Sequence, residues 1–350
     1  MAGRFTTVKI CGILTVVKLV AWKKGAVTVT KTKVAGLIVA TGLNEHGSTV
    51  DPLTVLGNMT IVKRVVLTYQ LAGISPIIVI TGMDGLSVER HLALYGAVFF
   101  RVEDNQKVNF QADIMPALGY AAEKGEVVVV TSVECPLFQT ETVRHLIRSP
   151  GEAKFLACDG RRGYPFLLPS APLLKITPET SFASWETLIA HLDCSKQTCL
   201  VDDHGISCVV SDHERCEGIL DEHNKQMLHP YVRLDIDYPT RIFDPRTKIL
   251  LMMIKDTNSV KTACKRTALS IGKAWEMINA LERALDYPVV NRRQGGRRGG
   301  RTSLTPEGEE YLRKYILLEG RVQDYAGEEF KKLFLQDERP PTRGAAQQNI

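Results

Sequence analysis

The segment NRRQGGRRGGRTS, residues 291–303, carries five arginines and four glycines and no acidic residue. Strand-like PVV precedes it, and TSL closes it. Guanidinium groups at this density do not pack into a core, because each needs a polar or anionic partner. A phosphate backbone supplies such partners. Upstream, Thr247–Lys255 reads as a helix with Ile249, Leu250, Met253 and Ile254 inward. Asn258 and Ser259 are N-cap types for a second helix carrying Val260, Ala263 and Cys264. After the turn TAL, Ser270 caps a third helix. Its apolar positions Ile271, Ala274, Trp275, Ile278, Leu281 and Leu285 recur at spacings of three and four and form one stripe. Helices followed by a cationic hairpin read as a winged helix-turn-helix with double-stranded DNA as partner. Ser270 and Lys273 lie off the stripe near the helix N-terminus, the end that reads base edges in such proteins. Thr305-Pro306 restarts a helix with threonine as cap and proline in its first position. Leu312, Tyr315, Ile316, Val322 and Phe330 on that helix are expected to pair two chains as a homodimer.

The charge distribution agrees. Of 350 residues, 44 are Lys or Arg and 39 Asp or Glu, a net +5. Residues 245–350 hold 20 basic and 13 acidic residues, or +7, which leaves −2 on the first 244. Positive charge concentrated in one part is expected where only that part meets nucleic acid. Eight cysteines stand at irregular spacing with no C-x-x-C pair. The apolar stretch from Ile10 to Trp22 is short and broken by Lys18, and no small-residue cleavage site follows. Neither a secretory signal nor a membrane span is expected, and the cytoplasm is the expected location.

Residues 34–229 alternate short apolar strands with amphipathic helices. VAGLIVATG, SPIIVITG, AVFFRV and EVVVVTS read as strands. Leu56–Ala72, Ser87–Tyr95, Ala112–Lys124, Thr140–Ile147 and Ser211–Gln226 read as helices. This pattern predicts an α/β domain, a mostly parallel three-layer Rossmann-like arrangement. Right-handed crossovers would bring Thr41–Gly42, Thr81–Gly82 and Thr131–Pro136 to one edge, where ligands bind in such folds. Residues 1–33 form an extension without an assigned role. Residues 230–245, with three prolines, read as a linker. The winged helix domain would span 246–335, and 336–350 have the composition of a disordered tail.

Two resemblances sharpen these expectations. SIGKAWEMINALERAL…PVVNRRQGGRRGGRTSLTPEG resembles, over about 60 residues, the winged-helix domain of the ModE-like molybdate-responsive regulators, akin to the LysR type. The resemblance implies a dimeric DNA-binding protein in which Lys273 faces the major groove. Arg292, Arg293, Arg297, Arg298 and Arg301 would hold phosphates or enter the minor groove. Six neutralised phosphates per site would give a salt slope of roughly −5. No cofactor is needed for that binding.

GLIVATGLNEHGSTVDPLTVLG resembles the opening of the MobA- and MocA-like molybdenum-cofactor nucleotidyltransferases, L-x-A-A-G-x-S-x-R-M-G-x-x-K-P-L. In them a glycine-rich loop lets backbone N–H groups reach a triphosphate, and Arg and Lys offset its charge. Gly42 and Pro52 match. Asn44 stands for the serine, His46 for the arginine and Asp51 for the lysine, so charge is lost at His46 and reversed at Asp51. Gly42, Asn44 and Gly47 would be the nucleotide-binding positions. VTSVECPLF resembles the family's D-x-P-L with Glu134 in place of the Mg²⁺-holding aspartate, a methylene longer. GRRGYPFLL matches the G-H-P motif as Gly163-Tyr164-Pro165. The second metal carboxylate has two candidates, Asp235–Pro239 and Ser211–Arg215, and the second makes Asp212 the ligand.

These replacements suggest a transcription regulator whose front domain senses a nucleotide or a molybdenum-cofactor-related ligand without catalysis. The alternative is an active Mg²⁺-dependent molybdopterin nucleotidyltransferase using CTP or GTP, joined to a DNA-binding module. Residues 191–229 also concentrate four cysteines and five histidines. A zinc-type site is the sharp reading of that cluster. Buried thiols and surface imidazoles are the plain one, and the spacings fit no standard zinc motif.

Overall fold

The computed structural model describes residues 32–42, 49–82, 84–102, 108–148, 152–293 and 301–335. The extension up to residue 31, Asn44, His46, Gly47, Arg297, Arg298, the arginine-glycine tip and the tail lie outside the described residues. For Arg293 only the backbone is described.

The front part runs β1 (Val34–Ala40), β2 (Val55–Leu56), β3 (Met59–Thr60), α1 (Ile61–Leu71), β4 (Ile77–Thr81), α2 (Gly85–Leu92), β5 (Ala97–Arg101), α3 (Met115–Lys124), β6 (Val127–Ser132) and α4 (Thr140–Ile147). It continues through β7 (Ala153–Cys158), β8 (Arg161–Pro169), α5 (Ser170–Leu173), α6 (Trp185–His191), β9 (Lys196–Leu200) and α7 (His213–Gln226). Seven strands form one sheet in the order β5-β4-β1-β6-β8-β7-β9. β5, β4, β1 and β6 are mutually parallel, β8 runs against both neighbours, and β9 is parallel to β7. Helices cover both faces, so the central strands are apolar on both sides: every residue of Ile77–Thr81 and Val127–Ser132 is buried. The mostly parallel three-layer architecture expected from the sequence is present. The helix expected from Leu56 starts only at Ile61. Val55–Leu56 and Met59–Thr60 pair as a small hairpin turned by Gly57, which has a positive φ.

Against one sheet face, α1, α4 and α7 enclose Ile38, Val65, Val79, Val129, Leu146 and Cys216. A polar knot lies within this apolar layer. Arg64 of α1 is fully buried and donates to Leu56 O (2.6 Å) and Asn224 Oδ1 (2.7 Å). His223 of α7 is also fully buried, and the Gln226 amide donates to its Nδ1 at 2.7 Å. Burial, and secondarily the charge of Arg64, push the His223 imidazole down to about 3.

The opposite face is covered by α3 and by the C-terminal helices. These are preceded by β10 (Ile236–Asp237) and β11 (Arg241–Phe243), then follow α8 (Pro245–Thr257), α9 (Val260–Thr267), α10 (Ile271–Leu285), β12 (Val290–Arg293), β13 (Arg301–Leu304) and α11 (Pro306–Phe330). Within the stretch read as a linker, Ile236 pairs with Phe243 in an antiparallel hairpin. Tyr315 of α11 donates to Leu234 O at 2.6 Å, so this stretch is built into the C-terminal part. One continuous core runs from Leu37, Ile80 and Val130 of the sheet through Ile249, Met253 and Ala263 to Ile278 and Leu312.

Three contacts fasten α8 and α9 to the front part. Arg266 places its guanidinium 3.3 Å over the Phe100 ring and donates to Phe99 O at 3.1 Å. Tyr120 of α3 donates to Asp256 at 2.7 Å. Lys124 pairs with the same carboxylate at 2.6 Å. β5 is one of the two outer strands of the sheet, so Arg266 satisfies a carbonyl that would otherwise template an unwanted strand.

Candidate nucleic-acid interface and the carboxyl edge of the sheet

The C-terminal helices are cut by caps the sequence specifies. Asp244 accepts from Thr247 N, Ser259 from Thr262 N, Ser270 from Lys273 N and Thr305 from Gly308 N. Asn258 is not an N-cap: it ends α8 in the left-handed conformation, as Ala268 ends α9. Thr302 N donates to Asn258 O at 3.0 Å, which ties the β12–β13 hairpin to the α8–α9 turn. The hairpin pairs Val290 with Leu304 and Arg293 with Arg301. Val290, Thr302 and Leu304 seat it on the core.

On α10, Ala274, Ile278 and Leu281 are buried and Trp275 is half-buried. Ile271, expected in the buried stripe, is 48% exposed. The first turn, Ser270 to Lys273, therefore presents an unbroken exposed surface. Lys273 pairs with Glu276 at 2.8 Å. Arg292 differs from a free phosphate ligand. It donates to Asn279 Oδ1 (2.7 Å) and to Glu282 (2.5 Å), and lies 4.8 Å from the Trp275 ring. This packing braces the hairpin against α10. Arg301 is exposed at the hairpin's return. An open groove of about 720 Å³ follows the second half of α10, lined by Glu276, Asn279, Glu282, Asp286 and Arg292 among others. Arg283 and Arg292 also line it, but its three carboxylates leave it net acidic, so the first turn of α10 and the hairpin suit a polyanion better.

Of the residues expected to join two chains, Leu312 and Tyr315 are buried within this chain, where Tyr315 packs on Phe243 at 4.5 Å between ring centres. Ile316, Leu317, Leu318 and Tyr325 of α11 are exposed.

At the carboxyl edge of the sheet, Gly42 turns β1 outward with φ +79°. A Cβ on Gly82 would fall 2.3 Å from Thr41 O, so the turns after β1 and β4 touch backbone to backbone. Asp51 is exposed, and its Oδ1 accepts from Leu53 N at 2.8 Å, closing a local turn around Pro52. Glu134 follows β6 and is half-buried; its carbonyl accepts from Val210 N at 2.9 Å. That bond brings the Ser211–Arg215 segment beside Glu134. Asp235–Pro239 instead belongs to the β10–β11 hairpin, with Asp235 paired to Arg233 and Arg241. Asp212 caps α7 by accepting from Arg215 N. The space enclosed by Val39, Gly42, Val50, Ser132 and Glu134 is about 10 Å³, and no described Lys or Arg lines it. At this edge Asp51 and Asp212 each accept a backbone N–H, from Leu53 and Arg215, while Glu134 is tied to Val210 through its main-chain carbonyl.

The cysteines and histidines of residues 191–229 are dispersed. Cys208 and Cys216 are buried with sulfurs 3.0 Å apart, His223 is in the α1–α7 core, and His191 packs edge-on against Phe182. Arg266, which fastens the C-terminal helices, escaped the sequence reading; nothing local distinguishes it from the exposed Lys265 beside it.

Comparison with known proteins matches both parts. Residues 37–191 match the MobA-like NTP transferase domain. The C-terminal part is similar to transcriptional regulator ModE of Haemophilus influenzae, 36% identical over 98 residues, covering 28% of this chain and 36% of that protein. It is also similar to molybdenum transport protein ModE of Azotobacter vinelandii, at 37% over 90 residues, 26% of this chain and 33% of that one. Molybdenum-pterin-binding protein MopB of Rhodobacter capsulatus is 37% identical over 73 residues, 21% of this chain and 27% of that protein. The chain thus spans about a third of the length of the curated relatives it matches. Among solved structures, a nucleotidyl transferase from Methanothermobacter thermautotrophicus is 16% identical, covering 55% of this chain and 98% of that one, with a TM-score of 0.45. Rv0371c of Mycobacterium tuberculosis H37Rv, in complex with manganese, is 18% identical, covering 55% and 100%, with a TM-score of 0.42.

Proposed function

We propose that this chain, a MobA-like NTP transferase domain joined to a ModE-like region, is a DNA-binding transcription regulator linked to molybdenum-cofactor or molybdoenzyme metabolism. The observation that carries the reading is the exposed, Ser270-capped first turn of α10 beside the β12–β13 hairpin, in a part of the chain similar to ModE. A helix N-terminus presented without apolar cover suits the major groove, and a cationic hairpin suits the flanking phosphates. Lys273 and Arg301 are the described contacts of this reading, and the C-terminal part functions as a winged helix-turn-helix. The exposed apolar residues Leu317, Leu318 and Tyr325 on one side of α11 support a homodimer. The link to molybdenum rests on the names of the relatives, ModE and MopB. The cytoplasm is the location consistent with a gene regulator. Among the described residues no helix is long and apolar enough to cross a membrane.

The front domain, in this reading, binds a ligand or holds the assembly and does not transfer nucleotides. The acidic Asp51, exposed where the resembled motif has a lysine, supports that. Anisotropy of labelled genomic duplexes, read from low to physiological salt, tests the regulator reading. Binding should weaken with a log–log slope of roughly −5, and Arg301→Ala should reduce the slope by about 1. Protein that ignores duplex DNA at low salt would overturn it. Pyrophosphate release from CTP or GTP with Mg²⁺ is expected to be absent. Release that Glu134→Ala abolishes would establish the active transferase instead.

A further inference from the structure

Outside both regions, one group of side chains has the composition and spacing of a metal site. Cys158 ends β7, Asp159 opens the turn into β8, and His204 begins the 3₁₀ turn His204–Ser207. Cys158 Sγ lies 3.5 Å from His204 Nδ1, and Asp159 Oδ2 lies 3.3 Å from the same nitrogen. All three ligand atoms fall within 4.8 Å of one another. Among the described residues, no other group of three potential ligands is this close.

We propose that Cys158, Asp159 and His204 bind one zinc-type divalent cation, with the fourth position open to water. The distances suit a tetrahedral ion as well as they suit the direct Cys158–His204 hydrogen bond and the His204–Asp159 ion pair. Bond lengths of about 2.3 Å to sulfur and about 2.0–2.1 Å to nitrogen and oxygen make the sulfur–nitrogen edge of a tetrahedron about 3.5 Å, and the nitrogen–oxygen edge about 3.3 Å. Both edges recorded here have those lengths. A mixed thiolate, imidazole and carboxylate set favours zinc over magnesium or calcium, which take oxygen ligands. Thiolate and carboxylate together also balance a 2+ charge.

The scaffold is rigid on both sides. Asp159 and Gly160 both have positive φ, +49° and +74°, which makes them the two central residues of a tight hairpin. His204 is held by Asp203, a buried carboxylate that accepts from Gln139 N (2.7 Å), Thr142 Oγ1 (2.6 Å) and Gly205 N (3.0 Å). The two halves meet without clearance: a Cβ on Gly163 would lie 2.0 Å from Ile206 O. Asp159 and His204 are solvent-exposed while Cys158 is buried. A cation there exchanges with solvent and anchors on an interior sulfur. Arg215 donates to His204 O and to Ser207 rather than to the ligand atoms. The cluster takes its thiol and carboxylate from outside the Cys/His-rich segment and only His204 from within it.

Cobalt(II) titration of the reduced full chain tests the site through the thiolate-to-cobalt charge-transfer band. One equivalent should produce the band, and Cys158→Ser should remove it while Cys199→Ser keeps it. Because Cys158 is buried, two exposed variants carry the test independently of folding. His204→Gln and Asp159→Asn, the latter tolerating the left-handed turn, should each weaken cobalt binding at least tenfold at unchanged melting temperature. No thiolate band in the wild type, a band that survives Cys158→Ser, or unchanged affinity in both exposed variants would overturn the proposal.

Discussion

Acidifying the protein should strike first at His223. Its imidazole is fully buried between α1 and α7, accepts the Gln226 amide at Nδ1, and lies beside the buried Arg64. A protonated ring would lose that acceptor and add a second positive charge to a site whose partners, Leu56 O and Asn224 Oδ1, are neutral. Burial first, and Arg64 second, push the group from 6.5 down to about 3. The folded-state value is lowered, so below about pH 6.5 the unfolded chain binds the extra proton and the folded chain does not. Stability is therefore complete above that pH and falls as pH drops toward 3, by about 1.4 kcal/mol per unit and about 5 kcal/mol in all. Hydrogen exchange of the α7 amides between about pH 7 and about pH 4.5 reads this locally. His223→Leu should lack that component, so its profile should diverge from the wild type by about 1.4 kcal/mol per unit. Parallel profiles, or a His223 resonance titrating near its ordinary value, would refute the reasoning.

Removal of the Arg266 side chain takes away a desolvated cation–π contact and leaves Phe99 O without its donor. Arg266→Ala should loosen α9 from β5 by about 2 kcal/mol, seen as roughly 30-fold faster exchange in α9; unchanged exchange would count against this docking. Gly163→Ala would drive a Cβ to 2.0 Å from Ile206 O and should lower unfolding free energy by about 3 kcal/mol. Gly119→Ala, on α3 with nothing within 4 Å of the added carbon, should instead be neutral or stabilising by up to about 1 kcal/mol. Equal urea midpoints for the two variants would show that the contact at Gly163 has slack.

The central strands were legible because burial on both faces leaves only apolar residues, and IIVIT and VVVVT stand out in any reading. The C-terminal helices were legible because each begins at a capping residue that does cap, as Ser259, Ser270 and Thr305 show. β7, β8 and β9 were not read as strands. KQTCL lies on the outer edge with four of its five residues exposed, so no apolar alternation marks it. The Asp-Gly pair at 159–160 was a hairpin signal in plain view between FLAC and RRGYPFLL. Ile271 was misplaced because a three-and-four stripe does not say where the neighbouring elements stop covering it. The metal-type cluster was invisible in composition: Cys158 and His204 are separated by a hairpin, two short helices and an edge strand. A count of cysteines and histidines reached only His204 of the three.

The seam between α8–α9 and the β5–α3 corner sets how this molecule can be divided. Cutting the chain before Asp244 to obtain a stand-alone DNA reader would strip the cover from Ile249 and Met253 on one fragment and from Phe100 on the other. It would also strand Asp256 without Tyr120 and Lys124. The two parts are not interchangeable cassettes joined by string. In the proposed reading, a duplex seated on α10 would approach the sheet at an angle set by this seam.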